Sequence, residues 1–116
     1  MKPFKLTVLA KSDLKDIALF TQRKWGREQR NVYLKQFDDS FWMLSENPVI
    51  GKSCDEIRDG YRKFPQGSHV IFYKQMGSQE ILIIRILHKS MDVNPVRLVH
   101  NSKLRDGSVW AIIRTK

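Results

Sequence analysis

Apolar residues at the start of the chain fall at two different periods, which predict a strand followed by a helix. Residues 4–9 alternate between apolar and polar side chains, as in a half-buried strand. Ser12 and Asp13 follow, and this pair is typical of a helix N-terminus with an acidic residue in its first turn. Apolar residues then recur at helical spacing as far as Trp25. We therefore expect a strand and then a helix that Gly26 ends.

A second helix is predicted over residues 28–45, where Tyr33, Phe37, Phe41 and Leu44 form an apolar stripe. The Asn-Pro pair that follows is a stop signal for a helix. The short link between the two helices predicts an antiparallel hairpin. Neither helix can bury its apolar stripe alone, so the hairpin is expected to lie on a sheet.

The second half of the chain changes to short strands separated by glycine-containing turns. Strands are predicted over residues 61–64, 69–74 and 81–87, with turns at 65–68 and 77–78. Such closely spaced strands are typical of an antiparallel meander.

The last of these strands is almost entirely apolar, which indicates a central strand covered on both faces. It contains one charged residue, Arg85. A buried guanidinium is costly unless it is paired. We interpret Arg85 as a structural residue that meets a carboxylate, with a role in a functional site as the alternative.

These elements give an α+β fold in which an N-terminal strand is followed by an antiparallel helical hairpin and a three-stranded antiparallel meander, with the helices packed on one face of the sheet. A chain of 116 residues supports one ordinary core. We expect one domain over residues 1–95 and a basic C-terminal extension over residues 96–116. That extension has five basic and one acidic side chains.

The net charge of +9 predicts an acidic protein or a nucleic acid as a partner. The single cysteine excludes an intramolecular disulfide, and no Cys/His cluster indicates a metal. We expect no cofactor. The first five residues lack the apolar core of a signal peptide, and no apolar stretch approaches the length needed to span a membrane, so we expect neither. A soluble cytoplasmic protein without a membrane partner is therefore expected.

Two groups of basic and aromatic residues are candidates for function. One lies around the predicted hairpin turn and is called the basic corner: Arg23, Lys24, Trp25, Arg27, Arg30 and Lys35. It is either an ordinary solvated surface or a surface that steers an acidic partner. The other group begins the meander and is expected to neighbour the end of the last strand: Arg58, Tyr61, Arg62, Lys63 and Phe64.

With Arg85, His88 and Lys89, this second group would resemble a ribonuclease surface, because RNA cleavage needs cations and an acid–base pair. Only His88 is well placed for acid–base chemistry. His69 lies within an alternating strand and is interpreted as a hydrogen-bonded strand residue.

Five segments, in this order, resemble motifs of the ParE/RelE toxin superfamily, and the ParE branch more closely than the RelE branch. They are AKSDLKDI at residues 10–17, NP followed by glycine at 47–51, IRDGYRKF at 57–64, GSHVIFY at 67–73 and IRILHKSMD at 84–92. The resemblance covers residues 3 to about 95 and implies the same fold as the periodicity.

The resemblance also implies a type II toxin–antitoxin system, in which an acidic, partly disordered ParD-like antitoxin binds and inhibits the toxin. A toxin–antitoxin hetero-oligomer is then expected. ParE-like toxins are non-enzymatic inhibitors of DNA gyrase that trap cleaved DNA and block replication. RelE-like toxins are ribosome-dependent mRNA endonucleases, and many use a tyrosine near the end of the chain. No tyrosine follows Tyr73 here.

We therefore predict a gyrase inhibitor, with a RelE-like endonuclease using Arg62, Arg85 and His88 as the alternative. A basic nucleic-acid-binding module is a third hypothesis. The expected gyrase-contacting residues are Arg23, Trp25, Arg27, His88 and Lys89. The expected antitoxin-contacting residues are Arg58, Tyr61, Arg62 and Phe64, together with a helix groove and a sheet edge.

The extension over residues 96–116 departs from the pattern of ParE-like chains, which end soon after the Met-Asp motif. It is interpreted, in order of preference, as an extension without function, a strand added to the sheet edge, or an altered target-binding end.

Overall fold

The computed structural model describes residues 2–91, and the predicted extension over residues 96–116 lies outside the described residues. Five strands, two α-helices and a 3-10 turn make up the described part. In chain order they are β1 (Phe4–Leu6), α1 (Val8–Trp25), α2 (Arg27–Glu46), the 3-10 turn (Pro48–Ile50), β2 (Lys52–Ser53), β3 (Tyr61–Gln66), β4 (His69–Met76) and β5 (Glu80–His88).

The five strands form one mixed sheet in the order β1-β5-β4-β3-β2. β3, β4 and β5 pair antiparallel, which confirms the predicted meander, and β1 pairs parallel to β5. β2 was not predicted. It has only two residues and pairs antiparallel with β3 at one edge of the sheet. The α+β class is confirmed.

The predicted boundary between β1 and α1 is wrong. β1 ends at Leu6, and the N-cap of α1 is Thr7, whose Oγ1 accepts a hydrogen bond from Ala10 N at 3.0 Å. The same hydroxyl donates to the carbonyl oxygen of Ile84 at 2.8 Å. Thr7 therefore satisfies a free amide of the first helical turn and ties the helix start to β5. The predicted cap residues 12–13 lie inside α1.

The predicted helical hairpin is confirmed, with α2 one residue longer at each end than predicted. Gly26 has a φ of 99°, a conformation that favours glycine. Its N–H donates to Gln22 O at 2.9 Å and closes the last turn of α1. The chain then starts α2 at the next residue, so the two helices lie antiparallel.

Both helices pack on one face of the sheet around the main core, which confirms the predicted layering. This core contains Phe37, Phe41 and Leu44 from α2 and Ile83 and Ile86 from β5. A smaller cluster that includes Cys54, Tyr61, Phe72 and Ile84 contains the alternate strand side chains and so lies on the opposite face. β5 lies between β1 and β4 with buried side chains on both faces, as predicted for a central strand.

Arg85 is 9% exposed and forms a two-pronged ion pair with Asp13 of α1. Its Nε and Nη2 donate to the carboxylate oxygens at 2.7 and 2.8 Å. Ile86 N donates to the same carboxylate at 3.0 Å. The structural interpretation of Arg85 is confirmed, since the pair fastens α1 to β5.

Tyr73 fixes the segment that follows α2. Its hydroxyl donates to Pro48 O at 2.6 Å and accepts from Gly51 N at 2.9 Å. A Cβ atom on Gly51 would strike the Tyr73 ring, so the close approach requires glycine. Arg62 supports the same segment by donating from Nη1 to Gly51 O at 2.7 Å.

Candidate functional site

A groove of about 700 Å³ lies between the helical hairpin and the ends of β4 and β5, and we call it the aromatic groove. Its volume is in the range of ordinary ligand pockets. α1 contributes one wall, α2 a second, and the β3–β4 turn with the end of β5 a third. The lining residues are Asp16, Ile17, Phe20, Thr21, Trp25, Gln29, Tyr33, Ser68, His69 and His88.

A hydrogen-bonded network holds the strand wall of the groove in place. The Tyr33 hydroxyl donates to Gln66 O at 3.0 Å and accepts from Ser68 N at 3.1 Å. Nδ1 of His69 lies 2.8 Å from the same hydroxyl. The Tyr33 hydroxyl therefore ties α2 to the end of β3, to the turn and to the first residue of β4. The interpretation of His69 as a hydrogen-bonded strand residue is confirmed.

The rings of His69 and His88 meet edge to face, with centroids 5.3 Å apart. The two residues are paired directly across β4 and β5. Burial lowers the pKa of His69 below its usual value, and the neighbouring His88 lowers it further. His69 is therefore in the neutral form at pH 7. His88 is exposed, and its Nδ1 accepts from Ser90 N at 3.1 Å.

Exposed aromatic side chains border the groove on the α1 side. Phe20 is 60% exposed and Trp25 is 64% exposed. The ammonium of Lys24 lies 5.8 Å from the Phe20 ring centroid and 5.6 Å from that of Trp25. Large exposed aromatic residues beside a concave surface are typical of protein-binding sites. A partner that covered them would remove apolar surface from water.

The residues predicted to contact gyrase lie at two places on the surface. Arg23, Trp25 and Arg27 are exposed around the hairpin turn. His88 and Lys89 are exposed where β5 ends. Trp25 and His88 both line the aromatic groove, so the structure brings one member of each group to one site.

The residues predicted to contact the antitoxin lie toward the other edge of the sheet, in and before β3. Tyr61 is 1% exposed and belongs to the smaller core cluster. Phe64 is partly buried against the main core, and Arg62 is bonded to Gly51 O. Arg58 is half-buried in the segment before β3. Tyr61 has little surface to offer a partner.

We expected the basic and aromatic residues at the start of the meander to lie beside the end of β5. For His88 this expectation is wrong. Gln66 pairs with His69 and His69 with His88, so Gln66 lies level with His88. Arg62 is four residues earlier on β3, which is about 13 Å along the strand. The structure does not bring together the endonuclease set of Arg62, Arg85 and His88.

Among residues 2–91, no group of three or more histidine, cysteine or acidic side chains is arranged to hold a metal ion. In the same part of the chain, neither helix combines the length and the apolar character that crossing a membrane requires.

Of the ten groove residues, only Trp25 and His88 were identified as functional from the sequence, and the aromatic rings that were missed are those of Phe20, Tyr33 and His69. Phe20 follows Ile17 by one helical turn, so the helical spacing already placed it near the same face. Regular pairing continued from Met76 and Glu80 would set His69 opposite Leu87. The register shift between Phe72 and Tyr73 sets it opposite His88 instead, so counting from the turn does not find this pair.

Comparison with known proteins identifies the family. Residues 4–93 match the family described as ParE toxin of type II toxin-antitoxin system, parDE. The chain is 40% identical over 89 residues to Toxin ParE1 of Mycobacterium tuberculosis, covering 77% of this chain and 91% of that protein. It is 39% identical over 92 residues to Toxin ParE1 of Caulobacter vibrioides, covering 79% and 94%.

The fold is also similar to a solved structure described as the chromosomal ParDE TA system from P. aeruginosa. The TM-score is 0.63 at 21% identity, with 76% of this chain and 96% of that chain covered. At this identity the likeness concerns the fold alone. The family match and the curated relatives reach further, and on them the chain belongs to the ParE toxin family of type II toxin–antitoxin systems.

Proposed function

We propose that this toxin inhibits DNA gyrase without catalysing a reaction itself, and that a ParD-like antitoxin neutralises it. The observation that carries the proposal is the match to the ParE toxin family over residues 4–93. The geometry supports a binding protein, because the guanidinium of Arg85 is bonded to Asp13 and that of Arg62 to Gly51 O. A nuclease would need those cations free at the scissile phosphate.

Gyrase contact is assigned to the exposed side chains of the basic corner and to His88 and Lys89. Exposed cations and an exposed tryptophan can steer and anchor an acidic or nucleic-acid-bearing target. The aromatic groove connects the two places, since Trp25 and His88 both line it.

The test of the main proposal is a supercoiling and DNA-cleavage assay with purified gyrase, with the toxin titrated in the absence and presence of its antitoxin. Accumulation of cleaved DNA that the antitoxin suppresses is the expected result. Gyrase that supercoils normally at saturating toxin would refute the proposal. The same protein is then assayed on translating ribosomes, where mRNA cleavage that His88→Ala abolishes would establish the endonuclease alternative.

The basic corner is tested by the double charge reversal Arg23→Glu/Arg27→Glu. We expect it to raise the toxin concentration for half-maximal cleavage about tenfold, the equivalent of 1.4 kcal/mol of binding energy. Lys11→Glu/Lys15→Glu is the control with the same change of charge, because Lys11 and Lys15 are exposed cations of α1 that line a different cavity. Equal effects of the control and the double variant would show that net charge alone matters.

Antitoxin binding is assigned to the aromatic groove and to the sheet edge at β2, where Arg58, Arg62 and Phe64 lie on the adjoining segment. An acidic, disordered segment gains affinity by laying an apolar helix face in a groove and by pairing with a free strand. The groove offers two exposed aromatic anchors, Phe20 and Trp25. β2 is the terminal strand of the described sheet.

Phe20→Ala is expected to weaken antitoxin binding about 30-fold or more, since buried aromatic anchors contribute about 2 kcal/mol or more at interfaces. Leu19→Ala is the matched control. Leu19 is the preceding residue, is 43% exposed and does not line the groove. Isothermal titration with the antitoxin measures both variants. Equal antitoxin affinities of the two variants would show that the groove is not part of the antitoxin interface.

A further inference from the structure

Two side chains that can carry positive charge lie without a described counter-ion at the strand end of the aromatic groove. His88 lines the groove, and Lys89 follows it directly after β5. Both are exposed, and neither forms an ion pair with a carboxylate among residues 2–91. A concave apolar surface with unpaired cationic groups at one end suits a ligand that carries an anionic group beside an apolar one.

Backbone contacts hold both residues in place and leave one nitrogen of His88 available. Lys89 N donates to Ser68 O at 2.8 Å, which fixes the chain after β5 against the β3–β4 turn. The ring of His88 accepts at Nδ1 from Ser90 N, 3.1 Å away. A backbone N–H can only donate, so the hydrogen of the neutral ring is on Nε2. Within the described part of the chain Nε2 has no hydrogen-bond partner, so it can donate to a ligand.

The titratable groups that face His88 from β4 and α2 carry no charge at pH 7. His69 lies directly opposite on β4, and burial lowers its pKa, so its ring remains neutral. Tyr33 lines the groove from α2, and burial raises its pKa, so its hydroxyl remains uncharged. Neither group supplies a negative charge to His88.

The carboxylates of α1 also leave this end of the groove open. Asp13 is committed to Arg85, whose Nε and Nη2 donate to its two oxygens, so the pair is neutral overall. Asp16 is the only carboxylate among the lining residues, and it forms no ion pair within residues 2–91. Like charges repel, so a second carboxylate is directed away from Asp16 and toward His88 and Lys89.

We propose that His88 and Lys89 form a carboxylate-binding subsite of the aromatic groove, occupied by an acidic side chain of the antitoxin, with apolar side chains of the same segment against Phe20. This assignment rests on the proposed function, because it takes the antitoxin as the occupant. The net charge of +9 favours an acidic partner, and Nε2–H and the ammonium supply donors for the two carboxylate oxygens. The carboxylate stabilises the charged imidazole ring, whose Nδ1–H then donates to Ser90 Oγ, 2.7 Å away. Binding therefore takes up a proton from solvent.

Proton uptake makes the affinity depend on pH in one direction. Because the complex binds this proton more tightly than the free toxin does, the affinity rises as the pH falls. We expect the antitoxin to bind about four- to tenfold more tightly at pH 6.5 than at pH 8, with about half a proton taken up at pH 7. The comparison ends at pH 6.5, because protonation of His69 destabilises the fold below that pH.

The test is isothermal titration of the full chain with its antitoxin at pH 6.5, 7 and 8. At pH 7 it is repeated in HEPES and in imidazole, whose different ionisation heats give the number of protons taken up. His88→Gln keeps an amide donor but cannot take up a proton, so its affinity should be the same at pH 6.5 and pH 8. Lys89→Gln should weaken binding about two- to fivefold at every pH and keep the pH dependence. Lys11→Gln is the control and should change neither, because Lys11 is an exposed cation that lines a different cavity.

Equal affinities of the unchanged chain at pH 6.5 and pH 8 would overturn the subsite, and so would a pH dependence that His88→Gln retains in full. An antitoxin that binds at no pH would overturn the proposed function and the subsite with it. His88→Asn is a second variant, because its amide can still accept from Ser90 N, and it should also lose the pH dependence. Circular dichroism checks that each variant is folded, as expected for replacement of the exposed His88.

Discussion

Removing Asp13 should destabilise the protein more than its half-buried position on α1 suggests. Asp13→Ala leaves Arg85, which is 9% exposed, without its carboxylate, and leaves the Ile86 N–H without an acceptor. Breaking a buried ion pair from one side costs about 3 to 5 kcal/mol. That is a large part of the stability of a small domain. A loss of this size lowers the Tm by roughly 12 °C or more.

The magnitude can be checked by a double-mutant cycle in urea with Asp13→Ala, Arg85→Met and the two combined. Arg85→Met alone should lower the free energy of unfolding by a similar amount, because it leaves the Asp13 carboxylate without its arginine partner. In the double variant only the Ile86 N–H lacks its partner, which costs about 1 to 3 kcal/mol. The double variant should therefore be more stable than either single variant.

Lys35→Ala provides the control for a surface pair. Lys35 bonds Asp39 at 2.9 Å, but the two side chains are 73% and 62% exposed, so solvent screens the pair and no measurable loss is expected. A double variant that loses the sum of the two single losses would refute the reasoning, since it would show that Asp13 and Arg85 stabilise the fold independently.

Three further predictions follow from single contacts. The pKa of His69 is lowered by burial and then by His88, so the folded state takes up its proton only below the unfolded value of about 6.5. Stability should fall as pH drops through that window, less steeply in His69→Gln, as chemical denaturation from pH 8 to 5 would show. Gly51→Ala should cost about 1 to 3 kcal/mol by the same method, because its Cβ strikes Tyr73. Cys54 is fully buried with a raised pKa, so thiol reagents should label it only after unfolding, and rapid labelling of the native protein would contradict this.

The sequence predicted the elements whose signals are local. Gly26 ends α1 because its backbone conformation favours glycine, and the turn at residues 77–78 closes the β4–β5 hairpin. Periodicity and turn residues suffice for such elements. β2 was missed because two residues have no period, and its pairing with β3 depends on the chain between them.

The aromatic groove could be predicted only in part, because three separate segments form it. Trp25 and His88 were predicted to face a target, and both line the groove. Tyr33 joins the same site through its hydroxyl, which contacts the last residue of β3, the turn after it and the first residue of β4. Helical periodicity shows which face of α2 is apolar, but it does not show which turn that face will meet.

The structure shows why the predicted start of α1 was wrong. Because of that error, the sequence analysis did not identify the partner of Arg85. Thr7 caps the helix while its hydroxyl also bonds Ile84 O, a contact that sequence reasoning does not see. Once α1 starts at Val8, Asp13 lies three residues after Ala10 and four before Ile17, and both of these are buried. Residues at these spacings share a helix face, so Asp13 must point toward the sheet. A carboxylate on that face needs a cation, and Arg85 is the buried cation that β5 supplies.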